Sequence, residues 1–447
     1  MMKLHALLFT ACWAACLAAS LTAPAAAQLR LPGPPNLPSL PALPSLPPLQ
    51  QRLPTERPLD TLLAPANLAE LRGSTIDALL RRHPRELQRD PRGEPVVRGE
   101  LLALPSSAAR RERILADGFV LLREQVLDGL DERWLVLQPP PRLNLADALA
   151  RLRGIDPEGD HDFHHLYTGS ASGSAPAASG GSAATGIAPV APGLRLGLID
   201  GGVDSRHPAL SGSTVRTQGC GGAAHPSAHG TAVASLLVGD SGNFRGVLPD
   251  GQLWAADVYC NAPTGGSVQS IAEALAWMAR EKVAVVNISL VGPPNVLLER
   301  AVAALVARGH LLVAAVGNDG PAAAPLYPAA WPGVVAVTAT DARRRLLPEA
   351  GRGPHVAFAA PGADLAAASL GAERFEPVRG TSFAAPLVAG LLAAQLQLPD
   401  PAAARLALDA LSKAAVDLGP NGRDPLYGWG LVGEFLRIDP TRVAGRR

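Results

Sequence analysis

Ser382 lies in Gly380-Thr381-Ser382-Phe383-Ala384-Ala385-Pro386, between a glycine and an alanine-rich run that predicts a helix. A serine at the mouth of a helix has an exposed hydroxyl, and the first-turn amides beside it stabilise negative charge. That hydroxyl is a poor nucleophile at its own pKa. It needs a base within hydrogen-bond reach, and the base must be held in the right tautomer. His229, in His229-Gly230-Thr231, supplies the base, and Asp200, in Asp200-Gly201-Gly202-Val203-Asp204, supplies a carboxylate to orient it. Asn318, in Gly317-Asn318-Asp319-Gly320, offers a side-chain amide. With the backbone N–H of Ser382 it would meet the oxyanion of a tetrahedral intermediate. Asp200, His229, Asn318 and Ser382 follow in that order, spaced by 29, 89 and 64 residues. The chemistry such a set can do is acyl transfer through a covalent serine intermediate.

Positioning four side chains from such distant segments requires a sheet. Short apolar runs at 196–199, 253–258, 284–288, 311–316 and 334–338 predict strands, and 229–237, 268–280 and 297–307 predict the helices between them. Apolar strands alternating with helices imply an α/β domain whose parallel sheet is covered on both faces, spanning residues 193–447. Active residues belong at the carboxyl ends of such strands, where Asp200 and Asn318 stand. Upstream, residues 95–168 form a separate compact unit. Strands at 96–104, 119–127, 134–137 and 164–168 and helices at 106–116 and 145–152 have the β-α-β-β-α-β order of a ferredoxin-like α+β domain. Residues 169–192, rich in Gly, Ser and Ala, predict a flexible linker open to proteolysis.

The N-terminal 94 residues read differently. Lys3 and His5, an apolar run at 7–21 and Ala25-Ala26-Ala27 have the order of a signal peptide, cut after Ala27. The run is too short for a spanning helix, so export to the periplasm or the medium is expected, with no membrane span in the mature protein. Residues 28–94 predict a spacer, with Leu-Pro repeats at 28–58 that favour an extended polyproline form and short helical patterns at 60–90. Export leaves two cysteines, Cys220 and Cys260, which an oxidising compartment would bridge. The net charge of +1 and the lack of a basic block argue against a nucleic-acid partner; only three lysines are present, so arginine carries the positive charge.

Residues 194–437 resemble the subtilisin family of serine endopeptidases (subtilases, peptidase S8). The resemblance rests on Leu198-Ile199-Asp200-Gly201-Gly202-Val203-Asp204, His207-Pro208, His229-Gly230-Thr231-Ala232-Val233-Ala234, Val286-Asn287-Ile288-Ser289-Leu290, Gly317-Asn318 and Gly380 to Pro386. It implies a subtilisin-like parallel sheet flanked by helices and an Asp200–His229–Ser382 triad with Asn318 as oxyanion donor. It also implies protein or peptide substrates bound as a strand between Thr264-Gly265-Gly266 and Ser289-Leu290-Val291, with a side-chain pocket lined by that second segment and Ala315-Val316-Gly317. Three positions depart from the family pattern. Gly201 stands where Ser or Thr is usual, Ala232 replaces a second histidine, and Val291 replaces a glycine. Val291 should narrow the pocket and favour small or medium apolar residues. The 95–168 unit resembles the family's propeptide, an intramolecular inhibitor whose last residues, His164 to Thr168, lie in the active site. Self-cleavage is then expected after Thr168 or in the linker just beyond, from a proenzyme.

The alternatives are a catalytically inactive subtilisin fold used for binding, and a lipase or esterase. The latter would carry a Gly-x-Ser-x-Gly elbow with its histidine last, which Gly380-Thr381-Ser382 lacks. No cofactor or metal is expected. Asp240 and Asn243 are calcium-ligand types, but their loop is short. His161, His164 and His165 read as surface residues of the propeptide tail, and Asn287-Ile288-Ser289 as a glycosylation sequon hidden on a buried strand.

Overall fold

The computed structural model describes residues 65–169, 193–249, 251–371 and 374–443. The signal segment, the Leu-Pro repeats and the linker beyond Gly169 lie outside them. The chain opens with helix α1 (Pro65–Arg82) and strand β1 (Leu87–Arg89). Then come β2 (Pro95–Leu104), α2 (Ala108–Ala116), β3 (Val120–Leu127), β4 (Glu132–Gln138), α3 (Leu145–Ile155) and β5 (Asp160–His165). Ser107 caps α2 and Asn144 caps α3, each accepting a first-turn amide hydrogen bond. The strands lie in the order β5-β2-β4-β3, all antiparallel, which is the ferredoxin-like arrangement. β1 pairs with the start of β2, so residues that read as spacer belong to the same sheet.

Period-two alternation gives this sheet two buried faces. Leu101, Ala103, Leu135 and Leu137 pack against α2 and α3. Leu102, Trp134 and Val136 face the other way, into a cluster with helices of the larger domain. The last strand lies earlier in the chain than its predicted 164–168. Asp160–His165 carries no apolar run because its histidines are buried as pairs. His161 meets Asp156, His164 Nδ1 lies 2.8 Å from Glu100 Oε2, and His165 Nε2 lies 3.2 Å from Asp90 Oδ2. The surface reading of these histidines is therefore corrected: all three are buried.

After a short strand β6 (Thr168–Gly169) the larger domain begins. Its elements are β7 (Arg195–Asp200), β8 (Thr214–Gln218), α4 (Ala228–Val238), the pair β9 (Asp240–Ser241) and β10 (Phe244–Arg245), β11 (Gln252–Asp257), α5 (Val268–Arg280), β12 (Val285–Ile288), β13 (Leu290–Val291), α6 (Val296–Ala307) and β14 (Leu311–Ala315). They continue with β15 (Val335–Thr340), β16 (Val356–Pro361), the pair β17 (Leu365–Ala368) and β18 (Phe375–Val378), α7 (Thr381–Ala393), α8 (Pro401–Ala414) and α9 (Pro440–Val443). Seven strands form one parallel sheet in the order β16-β15-β14-β12-β7-β11-β8. Helices α5 and α6 cover one face, and α4, α7 and α8 the other. β8 had no signal in the sequence because it is a half-exposed polar edge strand. A disulfide joins Cys220, after β8, to Cys260, after β11. Among the described residues no helix is long and apolar enough to cross a membrane.

Candidate active site

Asp200 is the last residue of β7, which lies between β12 and β11 inside the sheet, and is buried. His229 is the second residue of α4, whose cap is Ser227: its hydroxyl accepts from Gly230 N at 2.9 Å. The two meet at the strand ends, with His229 Nδ1 2.8 Å from Asp200 Oδ1. The same carboxylate oxygen accepts from Gly201 N at 2.6 Å. A side chain at residue 201 has no room, since a Cβ there would lie 2.5 Å from Ser227 Oγ. The helix cap has taken the space that the usual Ser or Thr would fill. Burial pushes the His229 pKa down, but the Asp200 charge and hydrogen bond outweigh it and hold it above the usual histidine range.

Ser382 is the second residue of α7 and fully buried. Pro386 sits inside that helix, four residues on, and has no N–H to give the Ser382 carbonyl. That carbonyl instead accepts from Ser289 Oγ at 3.1 Å, and Ser289 Oγ in turn accepts from Asn287 Nδ2 at 2.8 Å. The buried Asn287 thus serves this network, and its sequon stays inside the protein. Thr381 links the third segment, for its Oγ1 accepts from Gly317 N at 3.2 Å and its N–H donates to Asn318 Oδ1 at 3.1 Å. With Oδ1 so engaged, Asn318 Nδ2 must face elsewhere. Asn318 Nδ2, His229 Nε2 and Ser382 Oγ are all buried and all lack a protein partner. Buried polar atoms without partners are costly and rare, and they concentrate where a reaction supplies the missing partner. Phe383 packs on the His229 ring, with centroids 5.4 Å apart.

A cleft of about 570 Å³ opens beside Asp200 and His229, and Gly169 forms part of its lining. Residues 166–169 lead to it as an extended segment, of which Gly169 reaches the cleft. Leu166 bridges to Ser267, Tyr167 N donates to Gly266 O at 2.7 Å, and Thr168 and Gly169 pair antiparallel with Val291 and Leu290. Both predicted edge segments therefore hold the chain's own residues. Tyr167 is buried, donates its hydroxyl to Pro293 O at 2.6 Å, and lies so close to Gly292 that a Cβ there would come within 2.6 Å of its ring. Gly265 and Gly266 likewise admit the backbone of Tyr259 and Tyr167.

Val291, Ala315, Val316 and Gly317 meet beside this strand and are all buried, and the side chain that Gly317 lacks leaves room for others. Val291 Cγ1 would lie 3.6 Å from a Cβ on Gly317, and Leu326 Cδ1 only 2.5 Å from it. Leu326 had no motif to mark it in the sequence, and its place in the wall comes from chain folding alone. Among the described residues the one close cluster of three metal-ligand types is Cys220, Asp257 and Cys260, whose thiols are spent in the disulfide.

The site and sheet together define an α/β protein with an Asp–His–Ser constellation at the carboxyl ends of parallel strands. A family model described as the subtilase family, peptidase S8, matches residues 191–430, more than half of the chain, and the chain belongs to that family. Subtilisin Savinase of Lederbergia lenta is 34% identical over 246 residues, 54% of this chain and 88% of that protein. Minor extracellular protease Epr of Bacillus subtilis (strain 168) is 32% identical over 245 residues, again 54% of this chain. The match spans only 37% of Epr's length. Among solved structures, fervidolysin from Fervidobacterium pennivorans, a keratinolytic enzyme related to subtilisin, aligns with a TM-score of 0.64 at 19% identity, over 78% of this chain and 61% of that one. That likeness is one of fold, and it covers more of the chain than the family match does.

Proposed function

We propose that this protein is an exported serine endopeptidase made as a proenzyme, whose N-terminal α+β region blocks the cleft until the enzyme cuts its own chain. One observation carries the reading: residues 166–169 pair between Gly266–Ser267 and Leu290–Val291 as an extended substrate would, beside three buried and unpartnered groups suited to acyl transfer.

Ser382 Oγ attacks the scissile carbonyl while His229 Nε2 takes its proton. Asp200 holds Nδ1–H of His229 and stabilises the imidazolium that forms. The oxyanion is met by Asn318 Nδ2 and by Ser382 N–H, which lies in the first helical turn where amides have no intrahelical acceptor. His229 then gives its proton to the leaving amine, and water repeats the cycle to free the acid. Val291 and Leu326 leave a shallow pocket, so the residue before the cut is small. Gly169 pairs with Leu290, and the hydroxyl of the neighbouring Ser289 binds the Ser382 carbonyl. This pairing favours self-processing after Thr168 or in the linker just beyond. The extracellular role that the name of Epr states and the N-terminal signal pattern support export.

N-terminal sequencing of wild type beside Ser382→Ala tests this. Wild type should yield a mature chain starting just beyond Gly169, and the variant should keep its N-terminal region. The same N-terminus in both would overturn self-processing. A fluorophosphonate probe separates the enzyme from an inactive binding scaffold: wild type that takes no label at Ser382 would sink the peptidase reading.

A further inference from the structure

Glu349 is fully buried in the loop between β15 and β16 and has no part in the steps above. Its carboxylate pairs with the Arg379 guanidinium: Nη2 donates to Oε2 at 2.9 Å, and Nε lies 2.6 Å from Oε1 as an ion-pair contact not aligned as a hydrogen bond. Arg379 stands two residues before Thr381 and three before Ser382. The Glu349 backbone has a second contact, because its carbonyl accepts from Gly320 N at 2.8 Å, and Gly351 N donates to Gly317 O at 3.0 Å. Residues 317–320, which carry Asn318, are therefore bonded to 349–351 on one side and to Thr381 on the other. The ion pair closes these three segments into a ring.

Stability is a weak reason for such a pair. Taking both charges out of water costs about as much as their attraction returns, and apolar residues of similar volume often serve as well or better. An arginine–carboxylate pair held by a charged hydrogen bond and a second close contact supplies fixed geometry instead. We propose that Glu349 and Arg379 are positioning residues that set the distance and angle between the Asn318 amide and Ser382. They touch neither substrate nor reacting atoms and act through the 317–320 and 379–382 segments. This inference rests on the peptidase reading.

The test compares the processed enzyme from the full chain with the double variant Glu349→Leu/Arg379→Met, trimmed by trace wild type if it does not process itself. The double substitution removes both charges and so avoids the uncompensated charge that a single one leaves. A misplacement of about 1 Å costs turnover on the order of 10², so kcat on a short peptide anilide should fall by about that factor, with KM within about twofold and melting close to wild type. Repeated in an Asn318→Ala background, the same double substitution should cost kcat less than about twofold, since the group it positions is gone. A kcat within about twofold of wild type, or a full additive loss in the Asn318→Ala background, would overturn the proposal. Should the double variant fail to fold, Arg379→Lys, which keeps the charge but loses the planar two-nitrogen contact, enters the same cycle with the same two outcomes. A wild type without turnover would sink the peptidase reading rather than the clamp.

Discussion

The backbone N–H of Thr381 donates to Asn318 Oδ1 at 3.1 Å, so the residue beside the nucleophile decides which end of the Asn318 amide is free. Only the NH₂ group remains to meet an oxyanion, and it is buried without a partner. Asn318→Ala should lower kcat by about 10²–10³ while leaving KM for a short peptide nearly unchanged, because the contact strengthens only in the transition state. Steady-state kinetics on a peptide anilide reads both values. A loss confined to KM would contradict the assignment.

His229 must be neutral to accept the Ser382 proton. Burial pushes its pKa down, yet the Asp200 carboxylate prevails and raises it. Activity should therefore fall as pH drops through a value above the ordinary histidine pKa of roughly 6.5, and the acid limb of kcat/KM should lie on the alkaline side of that figure. Asp200→Asn should move the limb to lower pH and cut kcat by about 10⁴. An acid limb below pH 6 in wild type would show that Asp200 does not govern the base.

Leu326 and Val291 fill the space that Gly317 leaves. Wild type should cleave after Ala, Gly or Ser faster than after Phe in a peptide library. Leu326→Gly should shift kcat/KM toward larger apolar residues, since each methylene accommodated in an apolar pocket is worth about 1–3 kcal/mol. A wild-type preference for Phe or Tyr would refute this account of the pocket.

The histidines of β5 should make the N-terminal domain acid-sensitive. Burial holds His161 and His164 below the ordinary histidine pKa, so both stay neutral when folded. Unfolded, they bind protons once pH falls below roughly 6.5, and folded-state stability declines from there toward their depressed values. The carboxylates facing them do not offset this. Burial raises Asp90 and Glu100, but hydrogen bonds from His165 to Asp90, and from His164 and Arg123 to Glu100, more than reverse it, leaving Glu100 at about 2. Their contribution is lost only below pH 4–5. Across the domain boundary, Asn295 Nδ2 donates to His165 Nδ1 at 3.0 Å, a bond that requires that nitrogen unprotonated. Urea unfolding of full-length Ser382→Ala should show a lower midpoint at pH 5.5 than at pH 7.5. A flat or inverted dependence would contradict it.

Much of this was legible in the chain. Asp200, His229, Asn318 and Ser382 stood out because each sits in a short motif whose glycines and helix-forming neighbours are local requirements. The central strands β7, β11, β12, β14 and β15 were legible because a parallel strand buried on both faces must be apolar along its length. β8 and β5 were harder. One is a polar edge, and the other buries histidines against acids from β2 and the loops beside it, a pairing that hydrophobic periodicity does not report.

The order of elements, the residue types at the site and the strand that enters the cleft were thus written locally. What only the tertiary structure decided are relations between segments far apart in the chain. Ser227 fills the space left by Gly201, Leu326 closes the pocket beside Val291, and Glu349 reaches Arg379 from a different loop. Such contacts depend on the packing of a dense interior, where the occupant of a space is set by geometry and not by sequence distance.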